Sequence, residues 1–146
     1  MLPVARPHAA PLDASTAAPV AARNLYLQFL YAWLTGDGDL HAKNVSVLQG
    51  TDARWQIAPM YDVPCTALYR DMTMALTVDG RHRGLRRRHW ENLADAVGLP
   101  QRAAHAAMRK ALSAADAVDL RRLPFEGSPL NGAERELRHR CGELRD

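Results

Sequence analysis

The chain has 146 residues, 47% of them hydrophobic and 24% charged, which is the composition of a globular domain and not of a disordered one. Its net charge of +3 is too mild to imply a polyanionic partner, and no apolar run approaches the length of a bilayer span. Two cysteines, Cys65 and Cys141, show no Cys-x-x-Cys spacing; they read as reduced, buried thiols of a soluble cytoplasmic protein, not as a disulfide framework.

In chain order, residues 1–22 are rich in Ala and Pro and lack periodicity, so they read as a flexible leader. Pro7, His8, Pro11 and Asp13 interrupt any signal-peptide core. Order is expected from about Arg23, with residues 23–146 forming one domain. "NLYLQFLYAWLT" (24–35) is apolar around nearly its whole circumference and predicts a buried helix, stopped by Gly36 and Gly38. "NVSVLQ" (44–49) and "RWQIAP" (54–59) predict a short hairpin with a loop of four to five residues, and "MYDVPC" leaves it because Pro64 removes a ladder donor. "MTMALTVDG" (72–80) reads as a further strand or extended segment.

The second half is helical. Trp90, Leu93, Ala94 and Val97 recur at helical spacing, with Gly98 and Pro100 as the stop. A next helix from Pro100 carries Ala104, Ala107, Met108, Ala111 and Leu112. Asn131 and Glu134 resemble a capping box opening a last helix with Leu137, Cys141 and Leu144 on one side. The fold class is therefore mainly α with a small β-hairpin (α+β), and the C-terminal helices read as scaffold. "RHRGLRRRHW" (81–90) reads as a solvated loop and first helical turn in preference to a nucleic-acid or acidic-partner patch.

Chemistry concentrates in "LTGDGDLHAKNVSVL" (34–48). Asp39 and Asn44 stand five apart, the separation of a phosphotransferase loop in which the Asp accepts the attacking hydroxyl's proton and the Asn binds a metal. Such a mechanism needs a second metal ligand after the next hairpin, and Asp62 is there. His41 and Lys43 lie between them; 17 of the 19 basic residues are arginine, so a lysine at this place is the less casual, and its compact charge suits a γ-phosphate. Asp37, between two glycines, reads as a turn residue. Gly36-x-Gly38 follows a helix and lacks the third glycine of a dinucleotide fingerprint, no zinc spacing exists among the six histidines, and Gly-x-Ser-x-Gly is absent.

With "GDGDLHAKNVSVL", "IAPMYDV" and "MALTV" in this order, the chain resembles the C-terminal lobe of the HipA family of bacterial serine/threonine kinases, the toxins of toxin–antitoxin pairs. The matching residues are Asp39, His41, Ala42, Lys43, Asn44 and Ser46, then Pro59, Tyr61 and Asp62, then Met74, Ala75 and Leu76. The resemblance implies a protein-kinase-like C-terminal lobe with Asp39 as catalytic base and Asn44 with Asp62 as Mg²⁺ ligands. His41 and Lys43 would contact ATP phosphate or shape the loop, and Tyr61 would pack beside Asp62. The cofactors implied are ATP and Mg²⁺, and the substrate is a protein hydroxyl. The partners implied are a HipB-like antitoxin, through which DNA would be reached only indirectly, and a separate N-terminal kinase lobe. No Gly-rich phosphate-covering loop and no lysine precede Lys43, so the expectation is a truncated form, inactive or weakly active alone. Two readings stay open beside it: an inactive remnant or antitoxin-binding module, and a small-molecule phosphotransferase of aminoglycoside type.

Overall fold

The structure, a computed structural model, describes residues 17–145. Four α-helices and one small hairpin make an α+β fold: α1 (Ala17–Thr35), β1 (Val47–Gln49), β2 (Trp55–Ile57), α2 (Arg87–Ala96), α3 (Gln101–Asp116) and α4 (Gly127–Arg145). Short 3₁₀ turns fall at Ala42–Asn44, Thr66–Tyr69 and Leu120–Arg122. Among the described residues no helix is long and apolar enough to cross a membrane.

Helix α1 begins six residues before Arg23, inside the stretch read as leader. Alanine is the strongest helix former, and Pro19 sits in the first turn, where its missing N–H is one that the helix would leave unpaired anyway. The rest of the predicted leader, residues 1–16, lies outside the described residues. Tyr26, Leu30, Ala32, Trp33 and Leu34 are buried, and Leu27 and Phe29 pack against them, as a helix apolar all round should.

The hairpin pairs Val47 with Ile57, Leu48 with Gln56 and Gln49 with Trp55 in antiparallel register across the loop 50–54. Segment 72–80 forms no strand; it contributes only an isolated bridge between Val78 and Arg81. Asp79 and Gly80 both take positive φ, as a type I′ turn requires, so the chain reverses at once and leaves no room for a ladder. Met74 and Val78 are nevertheless buried, and the Met74 amide donates to the His82 carbonyl at 2.8 Å.

Helix α2 opens on the imidazole of His89, whose Nδ1 accepts from the Arg86 amide at 2.9 Å; burial holds the pKa of this ring below its ordinary value. Val97, although it fits the apolar spacing, is the C-cap residue and is exposed. Helix α4 starts at Gly127 and not at Asn131, which lies exposed inside it. Pro129 is tolerated in its first turn, so the helix needs no cap at 131. In the arginine-rich stretch Leu85, His89 and Trp90 are buried, whereas Arg81, Arg83, Arg86 and Arg88 are exposed.

The main core joins α1, α2 and α3 through Trp33, Leu30, Met74, Trp90 and Met108, with Leu144 from α4. A second cluster sets Leu130 and Ala133 of α4 against Ala67, Leu68 and Leu120. Each fully buried large apolar side chain contributes about 1.5–3 kcal/mol. Cys65 is half-buried and Cys141 buried, and both are free.

Candidate functional site

The 36–46 loop hangs from the C-terminus of α1. The Gly36 amide donates to the Trp33 carbonyl at 3.4 Å and the Asp37 amide to the Ala32 carbonyl at 2.9 Å. That pair of bonds is a Schellman motif, with Gly36 in the left-handed conformation at φ +74°. The Gly38 amide then donates to Thr66 Oγ1 at 2.9 Å, and this hydroxyl lies 3.1 Å from the carbonyls of Gly36 and Asp71. The loop is therefore anchored at both its start and its second glycine before any functional side chain appears.

Asp37 is not a surface turn residue. It is 1% exposed, and its Oδ1 accepts the Asp39 amide at 2.9 Å while Oδ2 is buried with no partner among the described residues. Burial, with repulsion from Asp39 and Asp62, raises its pKa from the ordinary 3.8 to about 6; the bond from the Asp39 amide and the nearby His41 pull the other way.

Asp39 is half-buried, and its Oδ1 lies 3.1 Å from His41 Nε2. The His41 amide donates to Asn44 Oδ1 at 3.2 Å, and the Asn44 amide returns to the His41 carbonyl at 2.9 Å. Asn44 is buried and turns its Nδ2 to Asp62 Oδ2 at 3.5 Å, a long contact. Asp62 reaches it from a backbone at φ +53°, a conformation that Asp tolerates better than most residues. Tyr61, next to Asp62 in the chain, ties the hairpin exit to the loop: its hydroxyl is 2.7 Å from Ser46 Oγ and donates to the Lys43 carbonyl at 3.4 Å. Lys43 is exposed and makes no ion pair among the described residues.

Asn44 and Asp62 thus meet, Asp39 is held through His41 and Asp37, and Lys43 stands apart. Asn44 Oδ1 keeps one lone pair beyond the His41 bond, and the exposed Asp62 carboxylate keeps an oxygen beyond its long contact, so the pair can present hard oxygen donors to a divalent cation. Among the described residues no three His, Cys, Asp or Glu side chains cluster into a metal site. A cation here would need oxygens from a bound phosphate or water, the usual arrangement for Mg²⁺.

Residues 8–118 match the family model of the HipA-like C-terminal domain. The chain belongs to this family. A solved structure with the same fold is that of the HipA, HipB and operator DNA complex of the toxin–antitoxin system of Shewanella oneidensis MR-1. It aligns at a TM-score of 0.62 and 21% identity over 90% of this chain, which spans 36% of the length of that one. No curated protein matches.

Within this HipA-like domain the family match takes in the loop, the hairpin and helices α1 to α3 but stops short of α4. Yet α4 supplies the residue that fixes the base of the loop. Arg140, 2% exposed, donates Nη1 to the Trp33 carbonyl at 2.9 Å and Nη2 to the Met72 carbonyl at 2.8 Å. Its Nε bonds Glu136 at 2.8 Å and its guanidinium lies 3.6 Å over the Trp33 ring. The sequence reading gives Asp37 only a turn and gives Arg140 no role. Arg140 could have been found from its place beside Cys141 and Leu144 on the apolar side of the helix, and Asp37 from its place one residue past a helix-ending glycine.

Proposed function

We propose that this HipA-like domain is the catalytic lobe of a serine/threonine protein kinase that transfers the γ-phosphoryl group of Mg²⁺-ATP to a protein hydroxyl. The observation that carries the reading is the meeting of Asn44 and Asp62 beside a half-buried Asp39 in one doubly anchored loop. Asp39 accepts the proton of the attacking hydroxyl, oriented by the 3.1 Å contact with His41 Nε2 and by the bond from its own amide to Asp37. Asn44 Oδ1 and the Asp62 carboxylate hold Mg²⁺, which when bound offsets the charge on the phosphates. Lys43, exposed and unpaired among the described residues, adds a point charge to a phosphate oxygen in this reading.

Phosphate covering and adenine binding require a second lobe, carried on the same longer polypeptide or on a separate one. A HipB-like antitoxin is the partner that the neighbouring complex suggests, with DNA reached only through it, in a cytoplasmic setting. The test is transfer of labelled γ-phosphate with the second lobe present. Transfer should require Mg²⁺, and Asp39→Asn should lower it by about 10³-fold or more, with its melting temperature kept. Asp62→Ala should abolish the Mg²⁺ response. Equal transfer by Asp39→Asn sinks the kinase reading, and transfer to amino sugars but not to protein would replace the substrate class.

A further inference from the structure

A second feature lies between α1, α3 and the hairpin exit, and none of its lining residues belongs to the 36–46 loop. Leu27 and Tyr31 of α1 face Ile57 and Met60, where β2 leaves the hairpin, around a cleft of about 380 Å³ whose remaining wall includes Lys110 and Ala111 of α3. A second cleft, of about 410 Å³, lies between the Arg23 end of α1 and the start of α3, floored by alanines and rimmed by Arg23, Arg102 and Lys110. Lys110 lines both, so the two clefts adjoin at its side chain as an interrupted furrow, apolar on one side and cationic on the other.

The charges of this furrow are one-sided. Among the described residues no Asp or Glu lines either cleft. Arg23, Arg102 and Lys110 are all exposed, and among the described residues none of them pairs with a carboxylate. Elsewhere on the surface arginines do find acids, as Arg86 finds Glu143 at 3.3 Å and Arg121 finds Glu134 at 2.9 Å. Three cations gathered without an anion beside small alanine side chains leave room for incoming carboxylates. The Leu27, Tyr31, Ile57 and Met60 end supplies an aliphatic and aromatic surface suited to side chains of a peptide, not to phosphates. A nucleic acid would call for cations along the whole track and aromatic faces for its bases; here the cations sit at one end and, among the described residues, Tyr31 is the one aromatic lining residue.

We infer that the furrow between α1, α3 and the hairpin exit is a docking site for an acidic, amphipathic peptide segment of a partner protein. Apolar side chains of that segment enter the Leu27–Met60 end, its carboxylates meet Lys110, Arg102 and Arg23, and Asn24 offers its carboxamide to the peptide backbone while Gln28 stays bonded to the Ala58 carbonyl. The residues lining the two clefts are other than Asp39, Asn44 and Asp62, so the proposal stands whether or not the kinase reading does.

The test uses the full chain and a fluorescein-labelled peptide of about twelve residues that alternates Glu with Leu and Phe, followed by polarisation. Micromolar binding is expected, weakening as salt is raised. The double variant Arg102→Glu with Lys110→Glu should weaken it at least tenfold, and Met60→Glu should do the same from the apolar end. Asp39→Asn should leave it unchanged. Because α3 carries two of the altered residues, circular dichroism melting of each variant is compared, and amide shifts on titration with the peptide locate the contact on α1 and α3. Equal binding of a Lys-for-Glu peptide, binding that survives the double charge reversal, or a short DNA duplex that binds while the acidic peptide does not would each overturn the proposal.

Discussion

A Cβ built on Gly38 would run into the Thr73 carbonyl oxygen and come within 2.5 Å of Thr66 Oγ1. The first of these atoms belongs to backbone and the second is the hub that holds Gly36, Gly38 and Asp71, so neither can give way locally. Gly38→Ala should therefore cost about 2–4 kcal/mol, read by urea denaturation. An Ala at Gly84, where nothing lies within 4 Å but φ is +62°, should cost only the smaller backbone penalty of about 1 kcal/mol. Asp37 makes a different demand. A carboxyl with a folded pKa near 6 and an ordinary value of 3.8 holds its proton more tightly in the folded state. Stability from this group is thus greatest below about pH 4 and falls as pH rises toward 6. The shift corresponds to at most roughly 3 kcal/mol. Asp37→Asn keeps an oxygen for the Asp39 amide and removes the charge. It should melt above the parent at pH 7 to 8 and lose that advantage as pH falls to 4.

At the scale of elements, the legible parts of the sequence were those where one local signal was unopposed. Helix α1 announced itself by apolar residues on every side and a glycine stop, and the hairpin by two short runs around a polar loop. The order Asp39, Asn44, Asp62 carried the candidate site because a loop, a hairpin and an acid in succession constrain one another. The start of α4 was not legible at Asn131, since a favourable cap signal there competes with a proline that a first turn accepts equally well. Segment 72–80 reads from its apolar residues as a strand or extended segment; Met74 and Val78 are buried, but the Asp79–Gly80 reversal limits the pairing to one bridge. The contribution of α4 to the loop depends on Arg140 reaching Trp33 and Met72, partners 107 and 68 residues away. No window along the sequence contains that. Arg140→Met should leave the Met72 carbonyl without its side-chain donor, the Trp33 carbonyl with only the long Gly36 bond and Glu136 without its cation, at a cost of about 3 kcal/mol or more; Arg140→Lys, with a single ammonium, should recover only part of it. Urea denaturation monitored by circular dichroism separates the three.

Over the whole molecule, burial is uneven in a way that the three tryptophans report. Trp33 and Trp90 are 1% and 0% exposed in the main core, whereas Trp55 is 44% exposed on the hairpin. The strands around Trp55 bury almost nothing of their own: all three residues of β1 are exposed, and in β2 only Ile57 is half-buried. A two-stranded hairpin is marginal unless something else holds it. What holds this one is its exit, where Gln28 Nε2 of α1 donates to the Ala58 carbonyl at 2.8 Å and Tyr61 meets Ser46. The rest of the domain is tied through α1, which touches α3, α4 and β2. Opening of the hairpin should therefore precede global unfolding, and it should not disturb Trp33 or Trp90. Acrylamide should quench one emission component strongly and leave a protected, blue-shifted remainder. Trp55→Phe should remove the quenched component and little else. Equal quenching of all three indoles, or a loss of the protected component at the urea concentration where the Trp55 signal first changes, would mean that hairpin and helical core unfold as one unit.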